Sequence, residues 1–411
     1  MPDVVIIGAG QAGLAASVCL SRLGFDHVVL EKHEIGASWR RQRWDSFCLN
    51  TPNWTLNLPG RDYAGGDPDG FMDRDGFVDL LEGYAKDFAV PAQQGVEVQR
   101  AATTENGWQL ETSSGSMRAR AIIVATSTHQ TPSFPAAAKR LDKSILSISA
   151  ANYRAPDQLP DGKILIVGAA QSGMQIVEDL QEAGREIILS TGSVGRIPRR
   201  YRGRDVIYWY DQMGLMDRKA SELDDPRQIF GGQPQYTGWR GGHTISLQKF
   251  HRDGVHLLGR VENIDGDTLR LATDLRQNIA TADRSSAQFC RNVDAFIERQ
   301  GLSCPADSGD DAAHDPLDDL DALPEPETLS LTQEGISTVI WATGFGCDFS
   351  WIDSEVFDSL GYPVTHRGET AAPGLYFLGL NFLHTRRSGI VYGVGADADY
   401  VAQRLHSYLG G

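Results

Sequence analysis

Two glycine-rich turns, 160 residues apart, constrain this chain more than any other feature. The first is Val4-Val5-Ile6-Ile7-Gly8-Ala9-Gly10-Gln11-Ala12-Gly13, the second Ile164-Leu165-Ile166-Val167-Gly168-Ala169-Ala170-Gln171-Ser172-Gly173. Each follows a short continuous apolar run, the pattern of a strand buried on both faces of a parallel sheet, and each leads into helical spacing. In such a turn the glycines permit a tight bend, close approach of backbone to a pyrophosphate, and close packing of helix on strand. The helix N-terminus then faces the phosphates with unpaired N–H groups. Gly8, Gly10, Gln11, Ala12 and Gly13 are thus candidate contacts of one dinucleotide, and Gly168, Ala170, Gln171, Ser172 and Gly173 of another. Two dinucleotides side by side point to electron transfer from a nicotinamide to a flavin.

The two turns differ at the ribose end. Glu31 follows Gly8 by 23 residues, at the end of the second strand with Lys32 after it. A carboxylate there accepts both ribose hydroxyls and repels a 2′-phosphate, so this site suits FAD or NAD. The same spacing laid on Gly168 lands on Thr191, and the seven residues from Gly24 to Glu31 match the seven from Gly184 to Thr191. No acid stands here. Ser190, Thr191 and Ser193 offer hydroxyls, and Arg196, Arg199, Arg200, Arg202 and Arg204 follow. Guanidinium groups bind phosphate bidentately, which favours NADPH, though the sequence does not single out one arginine. Ala170 replaces the usual second glycine and crowds the pyrophosphate slightly.

The 411 residues suffice for two or three domains, and 41% apolar with 22% charged residues is the composition of a soluble globular protein. The expected fold is α/β, with two Rossmann-like dinucleotide-binding domains and the second inserted in the first. The FAD-binding domain takes residues 1–155, the NADPH-binding domain 160–330, and 331–411 returns to the first. Thr338 to Ala342 and Leu375 to Leu378 read as the returning strands, 276–300 as a helix and 390–408 as a closing helix. Residues 305–327, with Asp307, Asp310, Asp311, Asp315, Asp318, Asp319, Asp321, Glu325 and Glu327, read as a solvated acidic loop. A net charge of −16 argues against a nucleic-acid partner. No apolar run reaches about 18 residues, so no membrane span is expected. No secretory signal is visible. Five scattered cysteines without C-x-x-C disfavour a disulfide framework, a zinc site and a dithiol redox couple. A cytoplasmic enzyme fits all of this, with a homodimer as the default assembly.

These residues resemble the two-dinucleotide-binding-domain flavoproteins, and most closely the class B flavin-dependent monooxygenases. Gly36-Ala37-Ser38-Trp39-Arg40 is similar to that family's G-x-x-W segment, in which Ser38 and Trp39 would close over the FAD pyrophosphate. Leu49-Asn50-Thr51-Pro52 resembles the segment with an active-site asparagine. Asn50 is therefore a candidate hydrogen-bond donor near the flavin, an Asx-turn before Pro52 being the alternative. Trp341-Ala342-Thr343-Gly344-Phe345 resembles the A-T-G strand that links the domains, which makes Thr343 and Gly344 cofactor candidates. Gly374-Leu375-Tyr376-Phe377-Leu378-Gly379 resembles the last FAD strand, with Gly379 beside the cofactor. The helix after His384-Thr385-Arg386-Arg387-Ser388 could aim its positive end at the flavin.

The chain also departs from that pattern. Of the family's F-x-G-x-x-x-H-x-x-x-(Y/F/W) fingerprint only Tyr153 remains, with Lys143, Ile145 and Ser149 at the other positions. The first A-T-G is Ala125-Thr126-Ser127. The resemblance implies that NADPH reduces FAD, that reduced FAD adds O₂ as a C4a-(hydro)peroxyflavin, and that a small organic N- or S-nucleophile takes the distal oxygen. An NADPH oxidase or reductase of the same fold, passing electrons to an external acceptor, is the alternative. A flavin-binding scaffold is a third reading, which the arginine run disfavours. Gln235-Tyr236-Thr237-Gly238-Trp239-Arg240-Gly241-Gly242-His243 suits either a substrate-side wall or a structural loop. Trp209 and Tyr210 suit core or pocket, and Cys48 either a flavin-side thiol or a small core residue.

Overall fold

The computed structural model describes every residue except 231–233, 308, 310 and 411. Strand β1 (Val4–Ile7) is buried along its whole length, as its unbroken apolar run requires. It enters helix α1 (Gln11–Arg22) through the first glycine turn, and β2 (His27–Glu31) returns beside it. Strands β3 (Ala92–Gln94) and β4 (Ala121–Val124) extend the same parallel sheet on either side. An antiparallel meander (98–104, 107–112, 115–119) feeds β4 directly.

The second sheet begins with β5 (Leu146–Ser149) and continues through β6 (Lys163–Val167), helix α2 (Gln171–Glu182) and β7 (Ile187–Ser190). Helix α3 (Val206–Gln212), β8 (His256–Leu258), the 26-residue helix α4 (Leu275–Gln300) and β9 (Ile336–Trp341) follow. Its five parallel strands lie in the order β8-β7-β6-β9-β5. The chain then returns to the first sheet as β10 (Leu375–Phe377), giving β10-β4-β1-β2-β3, and ends in helix α5 (Val391–Leu409). A two-stranded ribbon, Thr131–Pro132 against Phe345–Gly346, marks where the chain leaves the first unit and re-enters it.

The two units repeat each other down to individual residues. Gly8 (φ +107°) and Gly168 (φ +110°) each turn beneath a facing carbonyl, so that an added Cβ would sit 2.7 Å from Ala125 O and 2.5 Å from Ala342 O respectively. Gly13 and Gly173 let each helix close onto its own turn, an added Cβ falling 1.9 and 1.8 Å from the Gly8 and Gly168 carbonyl oxygens. Ala125-Thr126-Ser127 after β4 therefore corresponds to Ala342-Thr343-Gly344 after β9. Ser127 holds the left-handed φ of +64° that Gly344 holds at +88°.

Hydrogen bonding moves the expected unit boundaries. β5 lies within 1–155 and β9 within 331–411, yet both pair in the second sheet, β9 between β6 and β5. A buried apolar strand is alike in either sheet; only its register, Ile164 opposite Thr338 and Val167 opposite Trp341, assigns it. The acidic segment is an exposed loop as expected, with Asp307, Asp311, Asp315, Asp318, Asp319, Asp321 and Glu327 all open to solvent, and it is anchored at a few points. Arg252 donates to the Ala312 and Asp315 carbonyls, Arg276 pairs with Glu325, and Ala313 and Leu323 are buried. Basic side chains of the second unit hold it down; Asp310 lies outside the described residues.

Candidate functional site

At the first turn the ribose-end carboxylate is already oriented. Ala9 N–H donates to Glu31 Oε2 at 2.8 Å, and His33 N–H donates to Glu31 Oε1 at 2.9 Å. Each oxygen keeps a lone pair for a further donor. Gly10 is extended (φ −83°, ψ −173°), and a Cβ added to it would meet nothing within 4 Å, leaving an open cradle before the N-terminus of α1. The Trp39 indole donates to Gln11 Oε1 at 3.1 Å and packs edge-on against Phe77, so the G-x-x-W segment is fastened over the turn. Gly379 (φ +76°) brings the end of β10 to Ala12, where an added Cβ would be 2.7 Å from the Ala12 Cβ. Ser38 is exposed, and Lys32 is engaged by Glu97 at 2.6 Å on the surface rather than by the turn.

At the second turn Ala170 has φ −80° and ψ −174°, matching Gly10. Gln171 occupies the place of Gln11, and its partners come from elsewhere in the chain. Asn50 Nδ2 donates to Gln171 Oε1 at 3.0 Å, and Gln171 Nε2 donates to the Pro234 carbonyl at 3.2 Å. Gln175, one helical turn on, donates to Asn50 Oδ1 at 2.7 Å. Asp179, a further turn on, accepts from Ser46 and from Tyr153. Residues 171, 175 and 179 thus form one stripe of α2 facing the loop 46–50 of the first unit. Asn50 stands against this helix, and Tyr153 serves as an anchor. Burial, together with Asp179, pushes the Tyr153 phenol well above its ordinary range. Gln175 and Asp179 escaped the sequence reading, although polar residues at i, i+4 and i+8 on an otherwise buried helix were a visible signal.

The ribose end of the second turn departs from expectation. Thr191 is buried, donates to the Leu258 carbonyl at 2.8 Å and accepts from Asn278 at 3.1 Å. Arg196 pairs with Asp283 at 2.6 Å and meets His314 at 2.8 Å. Arg199 pairs with Asp205, Arg200 donates to the Gly241 and Gly242 carbonyls, and Arg202 pairs with Asp294. The candidates Arg196 and Arg199 are therefore buried and committed within the protein, while Arg200 is exposed and tied to the 241–242 turn. Spacing along the chain carries no information about the acids and carbonyls that α4 and the 241–242 turn bring to them.

The remaining candidates are also placed. Thr343 donates to the Ser133 carbonyl and ties the crossing ribbon, with Gly344 beside it. His243 contacts Glu178, Arg240 pairs with Glu182, and Gln235 donates to the Ala169 carbonyl at 2.7 Å, so segment 235–243 is fastened along α2 as a structural loop. Trp209 and Tyr210 lie in a buried cluster with Phe289 and Phe296. Arg387 of the loop before α5 pairs with Asp211 and Asp217, which docks that loop on α3. All five cysteines are free; burial pushes Cys19 up to about 12 and Cys48 and Cys290 up to about 11, far from a reactive thiolate. Among the described residues no cluster could hold a metal ion, and no helix is long and apolar enough to cross a membrane.

Residues 5–202 match the family model described as pyridine nucleotide-disulphide oxidoreductase. An uncharacterized CzcO-like oxidoreductase of Geobacillus kaustophilus is 32% identical over 410 residues, covering 97% of each chain. The chain belongs to the CzcO-like oxidoreductases. Indole-3-pyruvate monooxygenase YUCCA1 of Oryza sativa subsp. japonica is 29% identical across 99% of this chain and 92% of its own. A flavin-containing monooxygenase from Stenotrophomonas maltophilia shares the fold, with a TM-score of 0.67 at 18% identity over 100% of this chain and 99% of that one. This chain is thus an oxidoreductase with the two-dinucleotide-binding-domain fold expected from its paired turns, and it is similar to class B flavin monooxygenases.

Proposed function

We propose that this protein is an NADPH-dependent, FAD-containing monooxygenase that oxygenates a small organic N- or S-nucleophile. The observation that carries this is the pair of turns with matching backbone angles and unlike ribose ends, Glu31 at one and Thr191 at the other. The first turn fits FAD: Gly10 leaves the cradle a pyrophosphate needs, the α1 N–H groups face it, and Glu31 is held ready for ribose hydroxyls. The second turn fits a nicotinamide dinucleotide through Gly168, Ala170 and the N-terminus of α2, with no carboxylate to repel a 2′-phosphate. Bound FAD supplies hydride acceptance from NADPH and activation of O₂. The residues described here bind and orient. Trp39 and Gln11 close over the first turn, and Gln171 with Asn50 borders the second. Shielding matters because water diverts the activated oxygen to hydrogen peroxide. Five free cysteines without a C-x-x-C support oxygen, rather than an internal dithiol, as the electron acceptor.

Oxidase or reductase activity with an external acceptor is the second reading. Ser149, at the fingerprint's histidine position, ends β5 as a buried hydroxyl without a partner, so no imidazole serves there. The test follows NADPH consumed, O₂ consumed and peroxide released, with and without amines and thioethers. A monooxygenase gives peroxide below NADPH consumed, with the difference recovered as oxygenated product. Peroxide equal to NADPH under every condition would establish the oxidase. Protein purified without flavin that fails to take up FAD would overturn both.

A further inference from the structure

Arg199 is 1% exposed and its partners come from both units. Its Nε and Nη2 donate to Asp205 Oδ2 and Oδ1 at 2.8 and 2.9 Å, a bidentate fork. Its Nη1 reaches into the first unit and donates to the Asn50 carbonyl at 2.8 Å. The rings of Phe71 and Tyr236 flank the guanidinium at 4.2 and 5.0 Å. Asp205 is itself fixed, because it caps α3 by accepting from Ile207 N–H at 2.9 Å. Asn50 is therefore gripped twice: Arg199 holds its backbone, while Gln171 and Gln175 hold its amide.

Burying an ion pair costs about as much desolvation as the attraction returns, so such a pair is weak evidence for stability. A planar guanidinium fork does fix geometry. We propose that the Arg199–Asp205 pair is a positioning device: it sets the Asn50 backbone so that the Asn50 amide pins Gln171 at the entrance of the second turn. The inference rests on the reading of that turn as the nicotinamide-nucleotide site. Gln171 is the first residue of α2, beside the N–H groups a pyrophosphate would meet. Released from Asn50, its side chain gains rotational freedom that nucleotide binding must remove again. Arg199 and Asp205 thus act on nucleotide affinity through Asn50, as positioning residues.

The test compares wild type, Asn50→Ala, the double variant Arg199→Met/Asp205→Leu, and the triple combination. NADP⁺ affinity is measured by calorimetric titration of the FAD-loaded protein, with the FAD-to-protein ratio and thermal midpoint alongside. One lost hydrogen bond to a preorganised group predicts about a tenfold rise in the NADP⁺ Kd for Asn50→Ala, with FAD content unchanged. The double variant should show the same rise, and the triple should add less than about twofold, since both changes remove one device. A double variant that binds NADP⁺ like wild type overturns the proposal. So do losses that multiply in the triple variant, or a fall in FAD content parallel to NADP⁺ affinity. If the double variant does not fold, Asp205→Asn, which keeps the side-chain volume, is read by the same criteria. Wild-type protein that takes up FAD but not NADP⁺ would instead overturn the reading of the second turn, and the proposal with it.

Discussion

Gly10 caps α1 with φ −83° and ψ −173°, a conformation alanine adopts without strain, and a Cβ there would meet no protein atom within 4 Å. Gly10→Ala therefore separates the ligand from the fold. Alanine is a poorer N-cap than glycine by roughly 0.5–1 kcal/mol. The stiffer unfolded chain returns about 0.4–1 kcal/mol. The two nearly cancel, so the midpoint of the FAD-free protein should stay within about 2 °C of wild type. A pyrophosphate against the turn would meet the new methyl, and overpacking costs about 1–3 kcal/mol. At about 1.4 kcal/mol per decade, the FAD Kd should rise between about fivefold and 150-fold. Flavin fluorescence titration of the FAD-free protein measures this, and differential scanning fluorimetry checks the fold. Gly8→Ala is the contrast: φ is +107° and the added Cβ would lie 2.7 Å from Ala125 O, so the FAD-free protein itself should lose stability. An FAD Kd unchanged within twofold in folded Gly10→Ala would refute the placement of the pyrophosphate at this turn.

Three further outcomes are expected. Arg196→Met should lower stability by about 1–3 kcal/mol, because Asp283 and His314 lose the guanidinium that pairs with them, while the KM for NADPH stays unchanged; a tenfold rise in KM without a lower midpoint would restore Arg196 as a phosphate ligand. Ser127→Gly should raise stability by up to about 1 kcal/mol, since a left-handed φ costs an L-residue about 1–2 kcal/mol and glycine's freedom returns only part of that; a lower midpoint would show that the Ser127 hydroxyl, which accepts from His129 N–H, matters more. Burial raises the carboxyl pKa of Asp397 against the opposing Ser388 hydrogen bond, so the folded state binds a proton that the unfolded state releases. Stability then falls as pH rises through and above the ordinary carboxylate range, and Asp397→Asn should raise the thermal midpoint at pH 7 but not below about pH 4. An equal gain at both pH values would exclude burial of charge as the cause.

The paired turns were legible in the sequence because their physics is local. Gly13 must lack a Cβ because of the Gly8 carbonyl five residues earlier, and Gly173 repeats this against Gly168. The strands, the 276–300 helix and the contact of Glu31 with the first turn belong to the same class, since periodicity and spacing within one βαβ unit determine them. The unit boundaries did not, because β5 and β9 are assigned by pairing across the inserted unit.

The arginines after β7 show where sequence stops. Residues of one type, a few positions apart, receive unlike fates: Arg196 goes to Asp283, Arg199 to Asp205 and Asn50, Arg200 to the Gly241 and Gly242 carbonyls. Asn50 likewise met its partners Gln171 and Gln175 only when the second unit folded against the first. The sequence by itself determined two nucleotide-type turns and the acid at one of them, because steric exclusion acts over a few bonds. Only the tertiary structure decided which charges remained for a ligand, because a guanidinium takes whichever acceptor the fold carries to it, and here most of those acceptors lie 40 to 150 residues away.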